Sequence, residues 1–456
     1  MSNTPENKSA SPLKRILGLT SSILLVVGIM IGTGIFKKIA PMAASGLSGN
    51  YIIAAWIVAG IVTILGALSV SGLASLTTES GGEYEYLRII FGNFFAFIFG
   101  WSCFTIIGSA SVAAMSYLFT QSLNAIFHTP LLESDINIKI IACLVIVFLA
   151  TLNCIGTKES TFLNNILTYL KIAGVLFLIG GGLFFFTSNN VSPSVPVVDH
   201  VFTNSKLISV FFAAMLSAFW AYDGWLSVAF ISGEIKNPQR NVPIAIVTGI
   251  SIVMILYVLI NIAFLKVIPL QTLAALKGNE IAASKMSQLL FGNAGNFLIS
   301  LLILISALGA LNGIIITYSR MYYKMAVDGM FFKKASIIHP KYETPYMALI
   351  YAMIMSCFLV FTGTFDTLTD MIVFAGFLFY AMLAYGLILM KRKGLIDVKI
   401  IGYPYVPVIY IVFSLFLMVN TFIDQPQQTL TGIGLMLSGI PFYFLFKKRK
   451  AVKESI

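Results

Sequence analysis

The chain has 456 residues, 58% of them hydrophobic and 10% charged, and a mean hydropathy of +0.92. This composition excludes a water-soluble globular protein of this length. The formal net charge is +11, but the basic residues lie in short loops between apolar runs, which excludes a basic face for nucleic acid.

The apolar runs have the length of membrane-spanning helices, about 20 residues for a hydrocarbon core of about 30 Å. Unpaired backbone groups are costly in lipid, so we predict an all-α integral membrane protein. Twelve transmembrane helices are predicted, at 16–37, 50–76, 91–127, 137–156, 162–186, 206–232, 243–268, 294–325, 345–363, 366–390, 402–422 and 429–446.

The basic residues also predict how the chain is oriented. With the N-terminus inside, most of the 29 lysines and arginines lie in cytoplasmic segments, and only Lys37 and Lys38 locally oppose this arrangement. We therefore expect both termini in the cytoplasm. The first apolar run is too long for a cleavable signal peptide and is expected to remain as helix one.

Cysteine and histidine give no sign of a disulfide or a metal. The four cysteines each lie inside an apolar helix, where they are expected to act as small buried hydrophobic residues. His128, His200 and His339 fall in different loops without metal-ligand spacing. We predict no disulfide, no metal and no cofactor.

The first helix carries three glycines, Gly28, Gly32 and Gly34, in the middle of its apolar run. Glycine weakens a helix, so this pattern predicts an interruption. Close packing of small residues between helices is the alternative explanation.

The sixth helix contains a second candidate interruption, where Asp223 and Gly224 lie side by side deep in an apolar run. Two interrupted helices five apart are typical of inverted five-helix repeats that hold a substrate where both helices break. The freed N–H groups would suit a carboxylate and the freed carbonyls an ammonium, which favours a zwitterionic α-amino acid as substrate.

Four motifs in this order give the chain a resemblance to the amino acid–polyamine–organocation superfamily, and within it to the L-type amino acid transporter branch. They are Gly-Thr-Gly-Ile-Phe at 32–36, Ser-Gly-Gly-Glu-Tyr-Glu-Tyr-Leu at 80–87, Gly-Glu-Ile-Lys-Asn-Pro-Gln-Arg-Asn-Val-Pro at 233–243, and Ser-Arg-Met at 319–321 followed by Asp-Gly at 328–329, His-Pro at 339–340 and Thr-Pro at 344–345.

The resemblance implies a leucine-transporter-like fold that works by alternating access, a bundle of helices moving against a scaffold. The domains would be a tail at 1–15, a first repeat at 16–200, a second inverted repeat at 201–393, helices eleven and twelve at 394–446, and a basic cytoplasmic tail at 447–456.

It also implies the parts of the site. The substrate carboxylate would meet the N–H groups of Thr33, Gly34 and Ile35, and Trp220 would form an aromatic roof and gate. The ammonium would meet carbonyls near Met30, Trp220, Ala221 and Asp223, with Ile31 between the two sets in helix one.

Lys171 lies close to mid-membrane in helix five, too deep for its ammonium to reach either surface. The resemblance implies a sodium-independent transporter, with this lysine in the place of a sodium ion and tying helix one to helix eight. Ser306 is the nearest hydroxyl in helix eight, but Ala310 replaces a small hydroxyl residue common in relatives. A lysine neutralised by burial is the structural alternative.

Asp223 departs from the small residue found in many relatives, and an acid at this depth needs a role. It would cap a half-helix, neutralise Lys171, or attract a cationic group of the substrate. The last role would make the chain a cationic amino acid or polyamine antiporter, or a proton-coupled importer, rather than an exchanger or uniporter of neutral amino acids.

Other classes have less support in the sequence. An intramembrane enzyme would need paired catalytic groups at matching depth, and none are visible in the sequence. A nutrient sensor would carry an appended signalling domain, and none is visible either. Animal L-type relatives join a glycoprotein through a cysteine after helix three, but residues 127–139 contain none. We therefore expect no disulfide-linked heavy chain, an inner-membrane location in a bacterium, and an amino acid and the lipid bilayer as partners.

Overall fold

The computed structural model describes residues 15–77, 81–127, 132, 134–155, 158–185, 204–276, 280–362 and 365–454. These residues are almost entirely helical, and within them the only β-type pairing is an isolated parallel bridge between Leu17 and Ile235. His128, His200 and Ser80 of the sequence predictions lie outside the described residues.

The helices follow the predicted order, and we number them α1 to α12. They are α1 (Leu19–Met30 and Gly34–Lys37), α2 (Gly49–Ser71), α3 (Asn93–Ser102 and Gly108–Phe127, joined by a π-helical turn at Cys103–Ile107), α4 (Asp135–Ile155), α5 (Lys158–Gly180), α6 (Asn204–Tyr222 and Ser227–Phe230), α7 (Pro238–Val267), α8 (Ala282–Val327), α9 (Tyr346–Thr362), α10 (Phe365–Arg392), α11 (Tyr405–Asp424) and α12 (Pro426–Leu437 and Gly439–Glu454). Ten are long and apolar enough to cross a membrane, and α6 and α9 contribute shorter apolar helices, Lys206–Tyr222 and Tyr346–Thr362. The prediction of twelve helices is confirmed.

Some predicted bounds were wrong. The predicted start of α8 at 294 agrees with the main part of this helix, which follows a kink at Gly292 whose φ of 66° is non-helical, and a separate helical segment from Ala282 leads into that kink. Helix α7 begins at Pro238 rather than 243, since a proline in the first helical turn needs no N–H partner. Helix α12 continues through the predicted basic tail to Glu454.

The helices pack in two groups. Helix α7 packs extensively against α1 and α2, and α6 packs against α2 and α1; we call these four helices the bundle. Helices α3, α4, α8 and α9 form a second group, the scaffold. Helix α5 lies against α1 and α8, and so connects the groups.

Both predicted helix interruptions are present and face each other at the boundary between bundle and scaffold. The first half of α1 ends at Met30 and the second begins at Gly34. In α6 the helix ends at Tyr222 and resumes at Ser227. Backbone groups inside the fold are thereby released from helical hydrogen bonding at two adjacent places.

Candidate functional site

Two glycines of the α1 interruption permit close contact with its neighbours. A Cβ built on Gly32 would lie 2.5 Å from Met115 Cε, and one on Gly34 would lie 2.9 Å from Ala221 Cβ. A larger residue at Gly34 would push α1 and α6 apart, because the Ala221 backbone also lies within 3.0 Å, whereas at Gly32 the flexible end of the Met115 side chain would have to move. The glycines therefore lie at the helix interruption and also allow close packing. The two explanations that the sequence left open apply together.

Gly224 plays the corresponding role in α6. Its φ of +89° lies in the region that favours glycine, and a Cβ there would be 2.6 Å from Ile29 Cγ2. The neighbouring Asp223 N–H donates to the Trp220 carbonyl at 3.2 Å. The turn between the two halves of α6 thus packs directly against α1.

A narrow cavity lies between the two interruptions. Its walls come from α1, α3, α6 and α8, and its lining residues are Ile29, Met30, Gly32, Gly34, Ser111, Met115, Trp220, Ala221, Asp223, Gly224, Ser227, Ile314 and Tyr318. Five of the predicted site residues therefore line one cavity. Ile31, Thr33 and Ile35 are buried beside it without lining it.

The predicted carboxylate donors are the N–H groups of Thr33, Gly34 and Ile35, at the start of the second half of α1. Groups at this position have no partner within their own helix. Among the residues that the structure describes, none of these three N–H groups meets a backbone carbonyl. The Thr33 hydroxyl is also buried without a hydrogen-bond partner in the described part of the chain.

Two of the four predicted ammonium acceptors, the carbonyls of Met30 and Ala221, are already in contact with another side chain. The Tyr257 hydroxyl of α7 lies 2.6 Å from the Met30 carbonyl oxygen and 3.0 Å from that of Ala221. One phenol thus bridges the broken ends of α1 and α6. Tyr257 was not predicted from the sequence, since a tyrosine in a long apolar run has no distinguishing signal except its depth.

Lys171 is completely buried, and its Nζ donates to the Gly28 carbonyl of α1 at 2.6 Å. A Cβ on Gly309 of α8 would lie 3.0 Å from both Lys171 Cε and Nζ, so this glycine makes room for the lysine. The side chain of α5 therefore sits where α1 and α8 meet.

Ser306 binds α1 rather than Lys171. Its hydroxyl lies 3.0 Å from the Ile31 carbonyl oxygen and 3.1 Å from that of Gly32. Helix α1 is thus held at its interruption by α8 and, one turn earlier, by α5. Asn312 of α8 accepts an interhelical hydrogen bond from Asn153 Nδ2 of α4 at 2.7 Å.

Asp223 does not neutralise Lys171, which was one of its predicted roles. Its carboxylate accepts a hydrogen bond from the Tyr380 hydroxyl of α10 at 3.0 Å. Lys171 is held by a carbonyl instead. Asp223 also borders a second cavity, whose wall includes the tyrosines Tyr222, Tyr380 and Tyr410.

Glu83, which the sequence analysis did not single out as a site residue, lies close enough to Asp223 for their charges to interact. It begins the short helix Glu83–Phe91 between α2 and α3 and is only 4% exposed. Burial, and then the Asp223 charge, raise the pKa of the Glu83 carboxyl well above its usual value. Two acids therefore share this region, and among the described residues neither forms an ion pair with a cation.

One end of the fold is closed by backbone and charged contacts, and we call it the N-terminal end. Leu17 N–H donates to the Glu234 carbonyl at 3.0 Å, and Lys236 N–H donates to the Leu17 carbonyl at 2.8 Å. The Glu234 carboxylate lies 3.4 Å from Arg320 Nε of α8. The backbone pair joins the segment before α1 to the segment after α6, and the Glu234–Arg320 contact joins that segment to the scaffold helix α8.

A second group of charges, Glu85, Arg88, Lys324 and Asp328, lies at the same end. Lys324 Nζ is 3.4 Å from Asp328 and 4.0 Å from Glu85. Burial raises the pKa of the Asp328 carboxyl, although Lys324 and Arg88 act to lower it. At the opposite end of α1, Lys38 Nζ donates to Thr369 Oγ1 of α10 at 3.1 Å.

The chain is similar to known proteins over nearly its whole length. The family model described as amino acid permease matches residues 17–446. The chain is 33% identical to the b(0,+)-type amino acid transporter 1 of Mus musculus, an alignment covering 97% of this chain and 90% of the relative. It is 30% identical to the serine/threonine exchanger SteT of Bacillus subtilis, with 96% and 98% covered, and 28% identical to the human cystine/glutamate transporter, with 97% and 87% covered.

Proposed function

This chain belongs to the amino acid permease family and is an amino acid transporter, and on that premise we propose that it is a sodium-independent exchanger or uniporter of neutral L-amino acids. The observation that carries the proposal is the cavity between the two helix interruptions, beside which the N–H groups of Thr33, Gly34 and Ile35 meet no backbone carbonyl of the described residues. The names of the relatives, which include a serine/threonine exchanger, support exchange of small neutral substrates.

The backbone at the interruptions suits a zwitterion. The N–H groups of residues 33–35 would receive the carboxylate. The single Tyr257 O–H donates to only one of the Met30 and Ala221 carbonyls at a time, and each carbonyl has two lone pairs, so both can still accept from the substrate ammonium. Trp220, which lines the cavity and is 5% exposed, would close over the side chain as a gate.

Lys171 supports independence from sodium. Its Nζ lies 2.6 Å from the Gly28 carbonyl, at the junction of α1, α5 and α8. A fixed ammonium repels a second cation strongly in such a buried place, where the effective dielectric constant is low. A sodium ion would therefore have no site between these helices.

The two packing groups support alternating access. With the N-terminal end closed, substrate would enter from the other side, and breaking the Glu234–Arg320 and Leu17–Glu234 contacts would open the path to this end. Contacts that exist in only one state bias the equilibrium between the states. We propose repeats at 16–200 and 201–393 as the basis of this motion.

For location, we propose the plasma membrane of a bacterium, with both termini in the cytoplasm and the N-terminal end facing inward. The basic segment Lys447–Lys448 of α12 supports this orientation, since cytoplasmic segments carry an excess of lysine and arginine. We also propose that no heavy chain is attached by a disulfide, because residues 127–139 lack cysteine.

A second candidate is transport of cationic substrates, or of neutral ones with a proton. Asp223 lines the cavity, and Glu83 lies within electrostatic reach of it without a cationic partner in the described part of the chain. Two buried carboxylates together favour binding one positive charge, from a proton or from a substrate side chain. This observation is the reason to test lysine, arginine and putrescine beside neutral amino acids.

The test is exchange in proteoliposomes loaded with an unlabelled amino acid. We expect labelled serine, alanine or leucine to enter at the same rate in sodium and in choline buffer. Strict dependence on sodium would contradict the role of Lys171. Stronger competition by arginine or putrescine than by neutral amino acids would replace the main proposal by the second candidate, and uptake that acidifies the interior would indicate proton coupling.

A further inference from the structure

Two cysteines on neighbouring scaffold helices face each other. Cys143 Sγ of α4 lies 3.8 Å from the Cys357 carbonyl oxygen of α9, and Cys357 Sγ lies 4.0 Å from the Cys143 carbonyl oxygen. The two thiol groups also lie near enough to interact with each other. This reciprocal arrangement sets both side chains at the same level of the two helices.

The helices can approach closely here because small residues lie beside the cysteines. Ala142 of α4 and Ser356 of α9 are both buried almost completely. Small residues at a membrane helix interface allow the backbones to come near each other. A disulfide requires such proximity, since its two Cα atoms lie about 4.4–6.8 Å apart.

The pair lies at the outer surface of the scaffold. Leu144 and Phe358, each next in sequence to one of the cysteines, are both 60% exposed on the surface that lipid would cover. Both cysteines are themselves only half-buried. A small hydrophobic reagent dissolved in the bilayer can therefore reach the two sulfur atoms without entering the transport path.

The other two cysteines have a different environment. Cys103 is fully buried in α3. Cys154 is on α4 as well, but eleven residues after Cys143, which places it about 16 Å farther along the helix at 1.5 Å per residue. Cys143 therefore lies at the same height along the helix pair as Cys357, whereas Cys154 does not.

We propose that Cys143 and Cys357 are an oxidation site, where a two-electron oxidant of the quinone class dissolved in the membrane converts the two thiols to a disulfide that joins α4 to α9. The Sγ–Sγ bond forms and both S–H bonds break. The quinone accepts the two electrons and the two protons and leaves as the hydroquinone, so the reaction balances.

The disulfide would join helices of one packing group. Both α4 and α9 belong to the scaffold, so the bond does not cross the boundary along which bundle and scaffold move. Transport should therefore continue in the oxidised protein. This part of the inference rests on the proposed function, whereas the formation of the disulfide does not.

The test uses the full chain in proteoliposomes, with Cys103→Ala and Cys154→Ala as background so that only the pair remains. The sample is treated with a fully substituted benzoquinone, which has no free ring position for thiol addition, and digested without reductant. Mass spectrometry should find a peptide pair that joins Cys143 to Cys357 and separates on addition of dithiothreitol.

The matched control is Cys103→Ala with Cys143→Ala, which keeps Cys154 and Cys357 on the same two helices at different levels. We expect no crosslink in this variant. Free thiols in the treated pair, or an equal crosslink through Cys154, would overturn the proposed site.

Amino acid exchange is then compared between the oxidised pair and the same sample after reduction. Rates within twofold of each other are expected, and loss of exchange that reverses on reduction would overturn the assignment of both helices to one rigid group. Absence of exchange in the reduced protein as well would contradict the proposed function, while the crosslink result would stand by itself.

Discussion

Lys171 and Tyr257 hold the broken helices of the site through single hydrogen bonds to backbone oxygens. Lys171 binds Gly28, and Tyr257 lies between Met30 and Ala221. The sequence could single out Lys171, because a lysine at mid-membrane is expensive without a function. It could not single out Tyr257, whose partners are main-chain atoms, and these have no signature in the sequence.

The first prediction concerns the Lys171 ammonium. In Lys171→Met the side chain keeps its volume but loses a charged hydrogen bond worth ~2 kcal/mol, so α1 should lose its position and exchange should fall tenfold or more. Initial exchange rates in proteoliposomes measure this. The exposed Lys399→Met is the control and should exchange normally, and an unchanged rate in Lys171→Met would contradict the role of the lysine.

The second prediction concerns the Tyr257 hydroxyl. Tyr257→Phe keeps the ring, which packs against Trp56 and Tyr222, and removes only the bridge between the two interruptions. A neutral hydrogen bond contributes ~1 kcal/mol, so substrate affinity should weaken about fivefold with little change in thermal stability. Thermal-shift titration with substrate gives the affinity. Tyr443→Phe, remote in α12, should bind as the wild type does; equal affinity in Tyr257→Phe would refute the bridge.

At the scale of elements, the positions of both interruptions could be read from the sequence, since glycines and an acid in mid-span disfavour a continuous helix. The kink in α8 at Gly292 could not, because one glycine in an apolar run does not reveal its φ. Nor could Gly309 be assigned, as its importance arises only from the Lys171 side chain packed against it.

The third prediction separates backbone strain from packing at the α6 interruption. Gly224→Ala puts a methyl group 2.6 Å from Ile29 Cγ2 in addition to the strain of a positive φ, which costs an alanine ~1 kcal/mol. Gly394→Ala has a similar φ of +70° but no atom within 4 Å, so it carries the strain alone. We expect exchange to be lost in Gly224→Ala and retained in Gly394→Ala. Similar rates in the two variants would show that the contact with α1 is unimportant.

At the scale of the whole molecule, the number, order and approximate limits of the twelve helices followed from apolar length alone, because the bilayer sets that length. The division into bundle and scaffold depends on contacts between distant helices, which the sequence suggested only through family resemblance. The closure of the N-terminal end, through Leu17, Glu234 and Arg320, required the structure.

The fourth prediction is a pH dependence of that closure. Burial raises the Glu83 pKa in the closed state, and water reaching it in an open state would bring it back toward 4.5. The closed state therefore binds the proton more tightly. The stabilisation of the closed state by the proton on Glu83 is fully present below pH 4.5. It is lost as the pH rises through the pKa that Glu83 has in the closed state.

Acidifying the N-terminal side should consequently slow exchange, since closure is favoured. Exchange rates measured while this side is titrated downward from neutral pH test the sign. Glu83→Gln, which cannot ionise, should flatten the profile, and the exposed Glu343→Gln should leave it unchanged. Faster exchange on acidification, or the same profile in Glu83→Gln, would contradict this account.

The ammonium of Lys171 is attached to the protein and cannot be released on either side of the membrane. On the proposed mechanism, each turnover then dissipates no ionic gradient, so the protein has no external source of work. As a uniporter it could only let one concentration ratio decay, whereas as an exchanger it could trade one ratio for another, and the composition of the solute pools on the two sides would decide which compounds accumulate.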